Sequence, residues 1–331
     1  MERTNLLDIA KTTDPKGKAA TVIEVLNQHN AIVEDAPAYE ANAITGNRVT
    51  LRSSLPVVDF TKINKGSVRS KGSYRQVTDS MGILDGLSEV DSRQRILVGD
   101  ELFQAHRWRE DKGFLESMAQ TAALNLVYGD ENLNEAAFTG LQPRLETLND
   151  EAGANAIVRD AGGQGADNTS IYVVDWSEDT AHLIYSPGAA AGVAVKPLGE
   201  QRVTDKDNNP FPAFCTSYVW VIGLTVKDQR HIGRVANIDS SDLDLAGTAA
   251  YAGPDLVTEL TWLIESMPQP AGATRVIYVH PKVYAAYQLI AQNGKNVNLS
   301  LQEYMGRKVP HYDVYPIRKV DRISLAEARV V

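Results

Sequence analysis

An α+β fold is what the sequence predicts, on three observations. A proline-free stretch, ELFQAHRWREDKGFLESMAQTAALNLVY, runs from Glu101 to Tyr128 with apolar residues at helical spacing. Residues 168 to 239 are β-rich, with NTSIYVVDW, AHLIYS, FCTSYVWVIGLTV and HIGRVANID broken by turn residues. From Pro254 onward the order becomes helix, strand, helix, strand. At 331 residues the chain exceeds a typical single core, so it forms two compact regions or one domain with long excursions.

In chain order, Ala19, Val22, Ile23 and Leu26 fall at i, i+3, i+4 and i+7 and predict a short amphipathic helix. Such a helix is not stable alone and must pack on something. From Asn47 to about Arg75 the pattern turns extended, RVTLRSSLPVVDF and KGSYRQVTD around INKGSVRSKG, which predicts a long, weakly buried β-hairpin. It has too few apolar residues for a core of its own and must lean on the body or another subunit. A helix over 100 to 128 would be about 43 Å long. Asp100 is its N-cap candidate, Leu115, Met118, Ala119, Ala122 and Leu126 form its core-facing stripe, and Gly129 is read as a left-handed terminator. Gly113 permits a bend in this rod. The polar loop that follows leads into the turn at Phe138 and Gly140. Further on, Asp207-Asn208-Asn209-Pro210 reads as a hairpin turn, Pro254 and Pro281 open helices, and RVIYVH is a buried strand.

The composition, 43% hydrophobic and 23% charged, is that of a folded globular protein. No run approaches 18 apolar residues, which argues against a membrane span, and the first residues lack the pattern of a signal peptide. Cys215 is the single cysteine, so an intrachain disulfide and a cysteine-based zinc site are excluded. A net charge of -9 opposes general attraction to nucleic acid. Against that background Arg48, Arg52, Lys62, Lys65, Arg69, Lys71 and Arg75 stand with only Asp59 between them, a local balance of +6. Such a run reads either as a solvated surface hairpin or as an arm that docks on an acidic neighbour.

Signals of chemistry are missing. AGGQGADNTS lacks the Gly-Lys-Ser/Thr of a phosphate loop and reads as an ordinary loop. DKDNNPFPAFCT begins like a calcium loop but has Pro210 where glycine is needed and Thr216 where glutamate should coordinate. The six histidines show no metal-ligand spacing, and no Gly-x-Ser-x-Gly elbow occurs. No catalytic residue, cofactor or metal is expected.

The order of several strings carries a family resemblance. These are TTDPKGKAATVIEVLNQHNAIVEDAP, RVTLRSSLPVVDFTKINKG, QVTDSMGILDGLSEVD, VYGDENLNEAAFTGLQPR, DAGGQGADNTSIYVVDW, GLTVKDQRHIGRVANID and VYPIRKVDRI. In number and sequence they resemble the major capsid proteins of tailed double-stranded DNA bacteriophages, especially short-tailed phages of the Bordetella type. The resemblance implies the Johnson fold, with residues 1–46 as N-terminal arm and 47–80 as extended β-hairpin loop. It implies a peripheral domain over 81–239 with spine helix 100–128, an axial domain over 240–310, and a C-terminal strand over 311–331 that returns to the body.

It further implies a structural protein that self-assembles into hexamers and pentamers of an icosahedral shell enclosing double-stranded DNA, in the virion after assembly in the host cytoplasm. Scaffolding, portal and cement or decoration proteins are the implied partners. The chain begins directly with the arm, without a long charged leader, so a separate scaffolding protein is expected. Some relatives crosslink lysine to asparagine, and Lys62, Lys65 and Lys71 lie in the corresponding arm. Two other readings stay open: an encapsulin-like compartment shell, and a nucleotide-binding enzyme built on the glycines at 162 to 165.

Overall fold

The computed structural model describes residues 30–149, 156–189, 191–245, 253–269, 272–292, 299–304 and 307–331. The helix expected around Ala19 to Leu26 lies outside them. The first described elements are helix α1 (Ala31–Asp35) and strand β1 (Ala38–Glu40). The hairpin strands follow as β2 (Gly46–Ser54) and β3 (Ser73–Asp91), then α2 (Gln94–Val98) and the long helix α3 (Asp100–Tyr128). The body contributes β4 (Ile157–Asp160), β5 (Asn168–Trp176), β6 (Ala181–Tyr185), β7 (Ala194–Thr204), β8 (Pro210–Val226) and β9 (Ile232–Asp239). The last part holds α4 (Leu256–Ser266), β10 (Thr274–Val279), α5 (Pro281–Gln292), β11 (Leu299–Tyr304), β12 (Arg307–Tyr312) and β13 (Tyr315–Lys319).

The strands join one thirteen-stranded sheet whose main path is β11-β12-β13-β10-β5-β6-β8-β3-β2. Strand β5 is central, antiparallel to both β10 and β9, and buried along its whole length. Because side chains alternate across a strand, its two faces feed different cores. Tyr172, Val174 and Trp176 join the cluster under α1 and α3, with Leu126, Val127, Leu141 and Leu183. Ile171 and Val173 join the opposite cluster under α4 and α5, with Leu260, Leu263, Val283 and Tyr287. Strand β10 divides the same way, Val276 and Tyr278 on one side and Ile277 and Val279 on the other. A strand covered on both faces reads as a continuous apolar run, which is why IYVV and RVIYV lack polar alternation. The sheet therefore passes without interruption across residue 240, since β10 pairs in register with β5.

Strand β3 is the other organising element. Its residues 73 to 80 pair with β2, and residues 81 to 91 pair with β8. Nineteen residues at the standard rise make it about 63 Å long, a single rod from the hairpin into the body.

Two local readings of the sequence are corrected. Gly99 caps α3, and Asp100 is the first helical residue, its carboxylate bonded to Arg95 rather than to a helical N–H. Gly129 ends α3 with φ -58 and ψ 135, which is not left-handed. Glycine is required there by close backbone approach. A Cβ on Gly129 would lie 2.4 Å from Phe138 O and 2.5 Å from Asn125 O, and one on Gly140 would lie 2.5 Å from Asn125 O.

Candidate functional site

Where the long helix, the hairpin root and the body meet, the chain builds an anchor. Leu141 N donates to Leu126 O at 2.9 Å and Gly140 N donates to Gly129 O at 2.8 Å, so the turn is welded to the last turn of α3 by backbone bonds. Phe138 is buried in the core cluster beside them. From the next turn, Arg144 reaches Asp79 of β3 at 2.8 Å, and both side chains are almost fully buried. Arg144 Nε donates to Gly140 O, the Nη2 that reaches Asp79 also lies within hydrogen-bond distance of the carbonyls of Thr139 and Leu224, and Asp79 also accepts from Val226 N. A buried ion pair holds when its spare donors and acceptors are satisfied in this way. Ser80 donates to Glu131 close by. The polar segment after Tyr128 thus fixes the hairpin root to the helix end.

Beyond the root, the hairpin leaves the body. Arg48 and Arg75 lie on β2 and β3, opposite Thr78 and Leu51, and are exposed. Arg52 falls opposite Tyr74 in the register, and its side chain lies outside the described residues. Lys62, Lys65, Arg69 and Lys71 occupy the connecting loop, residues 55 to 72, all exposed and none in an ion pair among the described residues. The loop has defined local structure. Ser70 Oγ donates to Val57 O at 2.6 Å, Lys65 N to Lys62 O at 3.1 Å, and Asn64 takes a left-handed turn conformation with φ 67.

The charge reading missed half of this surface. Leu55, Val57, Val58, Phe60, Ile63 and Val68 all stand in solvent, Val58 at 89% exposure and Phe60 at 104%. The run LPVVDF carried the signal, but extended apolar residues are ordinarily assigned to a core. Large exposed apolar patches are where interaction sites are found.

On α3, Met118, Ala122 and Leu126 are buried, whereas Leu115 and Ala119 are half-buried. Phe103, His106, Ala123 and Val127 are buried as well and were not in the sequence stripe. The helix meets different partners along its length. Phe103 packs on Phe214 of β8, Phe114 stacks on Tyr218 at 5.4 Å, and α1 widens the covered arc near the C-terminal end.

The buried charges of the body are structural. Arg234, with no exposed side chain, donates to Glu327 Oε2 at 2.7 Å, Ser170 Oγ at 3.0 Å and Leu145 O at 2.9 Å. Glu327 also accepts from Tyr128 and Ser170, which ties the C-terminal segment to the end of α3. Burial first, with Glu327 adding to it, pushes the hydroxyls of Tyr128 and Tyr172 far above the ordinary phenol value, so both remain neutral donors. Asp175 is held by Arg275 at 2.6 and 2.9 Å and lies 2.7 Å from His231 Nδ1. The other ring nitrogen of His231 faces Asp228 at 4.0 Å, so this His–Asp pair addresses no nucleophile. Cys215 is buried on β8 with its Sγ toward Ala213 O. Among the described residues no group of three or more His, Cys, Asp or Glu side chains is arranged to hold a metal ion, and no helix is long and apolar enough to cross a membrane.

The described residues thus form a central sheet, a long helix and a hairpin with an exposed apolar tip. The family model for major capsid protein GP7 matches residues 14–331, nearly the whole chain. The chain belongs to the major capsid protein GP7 family. Its structure is similar to that of bacteriophage Epsilon15, with 27% identity and a TM-score of 0.77 over 100% of this chain and 98% of that one. More distant likenesses include the capsid of a native GTA particle, at 12% identity and a TM-score of 0.45 over 68% of this chain and 95% of that one. The capsid of Myoviridae phage XM1 is similar at 8% identity and a TM-score of 0.43, over 69% of this chain and 98% of that one. No curated protein matches the chain. As a GP7-family member the chain is a structural, capsid-forming protein of a tailed-phage virion and not an enzyme.

Proposed function

We propose that this capsid protein assembles as hexamers and pentamers into an icosahedral shell around double-stranded DNA, and that its arm makes the inter-subunit contact. The observation that carries this is the arm itself. Six large apolar side chains and four cations on residues 55 to 72 are exposed, and among the described residues those cations make no ion pair. In the proposed subunit residues 1–46 are an arm, 47–80 the extended loop, 81–239 the peripheral domain, 240–310 the axial domain and 311–331 the returning strand. Arg48, Arg52, Lys62, Lys65, Arg69, Lys71 and Arg75 face an acidic patch on a neighbour, where paired charge fixes register more than affinity. The net charge of -9 keeps packaged DNA from sticking to the shell as a whole. A scaffolding protein guides curvature, a portal occupies one vertex, decoration proteins bind outside, and the source is a short-tailed phage.

Electron microscopy with light scattering, on the protein expressed with and without its neighbouring genes, tests the reading. Closed polyhedral particles or six- and five-membered rings are expected. A well-folded monomer under every condition overturns it. Particles carrying an enzyme cargo and no DNA would favour a compartment shell instead.

A further inference from the structure

We infer that the groove between the C-terminal half of α3 and residues 321 to 328 binds a carboxylate, presented beside an aliphatic side chain by a short segment of a partner protein. The site lies apart from the arm, and its chemistry can be read in the unassembled chain.

The groove encloses about 520 Å³ and is walled by Leu124 and Tyr128 of α3 and by Arg322, Ile323, Ala326 and Glu327 of the C-terminal segment. That volume falls within the roughly 300–1,000 Å³ of ligand pockets. Arg322 is its decisive residue. The guanidinium is half-buried, its Nη2 donates to Gln120, and its Nε is buried without an acceptor. Among the described residues Arg322 enters no ion pair. By contrast Arg144, Arg234, Arg275 and Arg318 pair with Asp79, Glu327, Asp175 and Asp35. An N–H withheld from water with no acceptor is unfavourable, and a charged one more so.

The fork formed by Nε and one Nη matches the two oxygens of a carboxylate. At Arg322 one prong of that fork has no acceptor and the other meets a neutral amide. Gln120 has a second bond, from its Nε2 to Glu116 Oε1 at 2.7 Å, so it stays anchored when a carboxylate takes both prongs. The acids on the wall do not serve. Glu327 accepts from Tyr128, Ser170 and Arg234, and Asp321 lies near enough to His280 to favour its protonated form. A single guanidinium suits a single carboxylate, and a phosphate dianion would find no second cation among the lining residues.

The rest of the groove sets what carries the carboxylate. Leu124 is one helical turn beyond Gln120 on the same face of α3 and is 40% exposed, an aliphatic contact next to the charge. Ala326 and Ala328 are exposed, and their methyl side chains let a backbone approach closely. An open, small-sided groove of this kind suits a segment still attached to a larger body. The other exposed aromatic positions on helices offer no such site, since Trp108 and Trp262 already lie under Lys112 and Arg159.

Disulfide trapping on the full chain tests it, because Cys215 is buried and stays out of the reaction. Leu124→Cys is equilibrated with 4-mercaptobutanoate and with its amide, and the adducts are counted by mass spectrometry. The acid should be captured about tenfold over the amide, the scale of a charge-assisted hydrogen bond. Arg322→Gln added to Leu124→Cys should bring the ratio down to that of Leu133→Cys, an exposed position elsewhere. Equal capture at 124, or a preference that survives Arg322→Gln, overturns the inference. Ala328→Cys, on an exposed residue, repeats the comparison should Leu124→Cys not fold. The same Ala328→Cys is then offered mercaptoacetyl-Leu-Asp amide against mercaptoacetyl-Leu-Asn amide. The aspartate form should win by a similar factor. Preference for the simple acid with none between the two peptides overturns the partner segment.

Discussion

The two phenylalanines Phe103 and Phe60 have the same side chain and opposite surroundings. Phe103 packs against Phe214 beneath α3 and is 1% exposed, whereas Phe60 stands at the arm tip with no cover. The comparison extends to the regions around them. In the body's core, apolar side chains are enclosed and the large buried charges are paired, down to an Arg234 whose three nitrogens each donate to an acceptor. In the arm both are left open. Hydrophobic burial is worth something only when the surface actually leaves water. The body's core therefore stabilises the chain, and the arm's exposed surface contributes little to that stability.

The largest effect should come from the most enclosed charge. Glu327→Ala strands Arg234 in the core and should cost about 3–5 kcal/mol of subunit stability in a denaturant melt. A loss below about 1 kcal/mol would mean that the network is wetter than its geometry. The phenylalanine pair tests the comparison directly. Phe103→Ala should cost about 3–5 kcal/mol, while Phe60→Ala should leave the unassembled chain within about 0.5 kcal/mol of wild type. Equal costs would break the distinction between the two regions. Gly140→Ala pushes a methyl onto backbone at the weld between helix and turn, and about 1–3 kcal/mol of destabilisation is expected, as for overpacking elsewhere. Reversing Lys62, Lys65, Arg69 and Lys71 to Glu should change subunit stability by no more than about 0.5 kcal/mol each yet abolish particles. Particles of normal yield and stability would remove the arm from the assembly contact.

The smallest effect concerns pH. Burial first, then nearby Lys227, lowers the His182 pKa below its ordinary value, and burial lowers that of His280. The unfolded chain then binds protons that the folded chain refuses, so stability is full above about pH 6.5 and falls as pH drops from there toward the depressed folded values. His182→Asn should flatten part of that acid-side slope in melts between about pH 7 and 5. An unchanged slope would show that other groups dominate it.

Much of the fold could be read in the residues because it rests on local periodicity. The helix Asp100–Tyr128, the turn at Asp205 to Asn209 and the buried β10 each follow from a pattern within a few residues. The positive arm was visible for the same reason, as seven cations close together in sequence. The anchor was not, because Asp79 and Arg144 are 65 positions apart, and neither Asp nor Arg in isolation announces a buried partner. Gly129 shows the same limit from the other side. Its place at the helix end was legible, but its reason is the carbonyl of Phe138, which only folding brings near.

By itself, then, the sequence determined the class of fold, the long helix, the charge of the arm and the family to which these belong. Tertiary structure decided which apolar residues are left over. Leu55 to Phe60 and Ile171 to Val174 are comparable runs on paper, and one is enclosed between two helical layers while the other projects on the end of β3. The physical reason is that periodicity reports which side chains share a face. Whether that face is covered depends on contacts between segments far apart in the chain, and among the described residues Leu55 to Phe60 receive none that bury them.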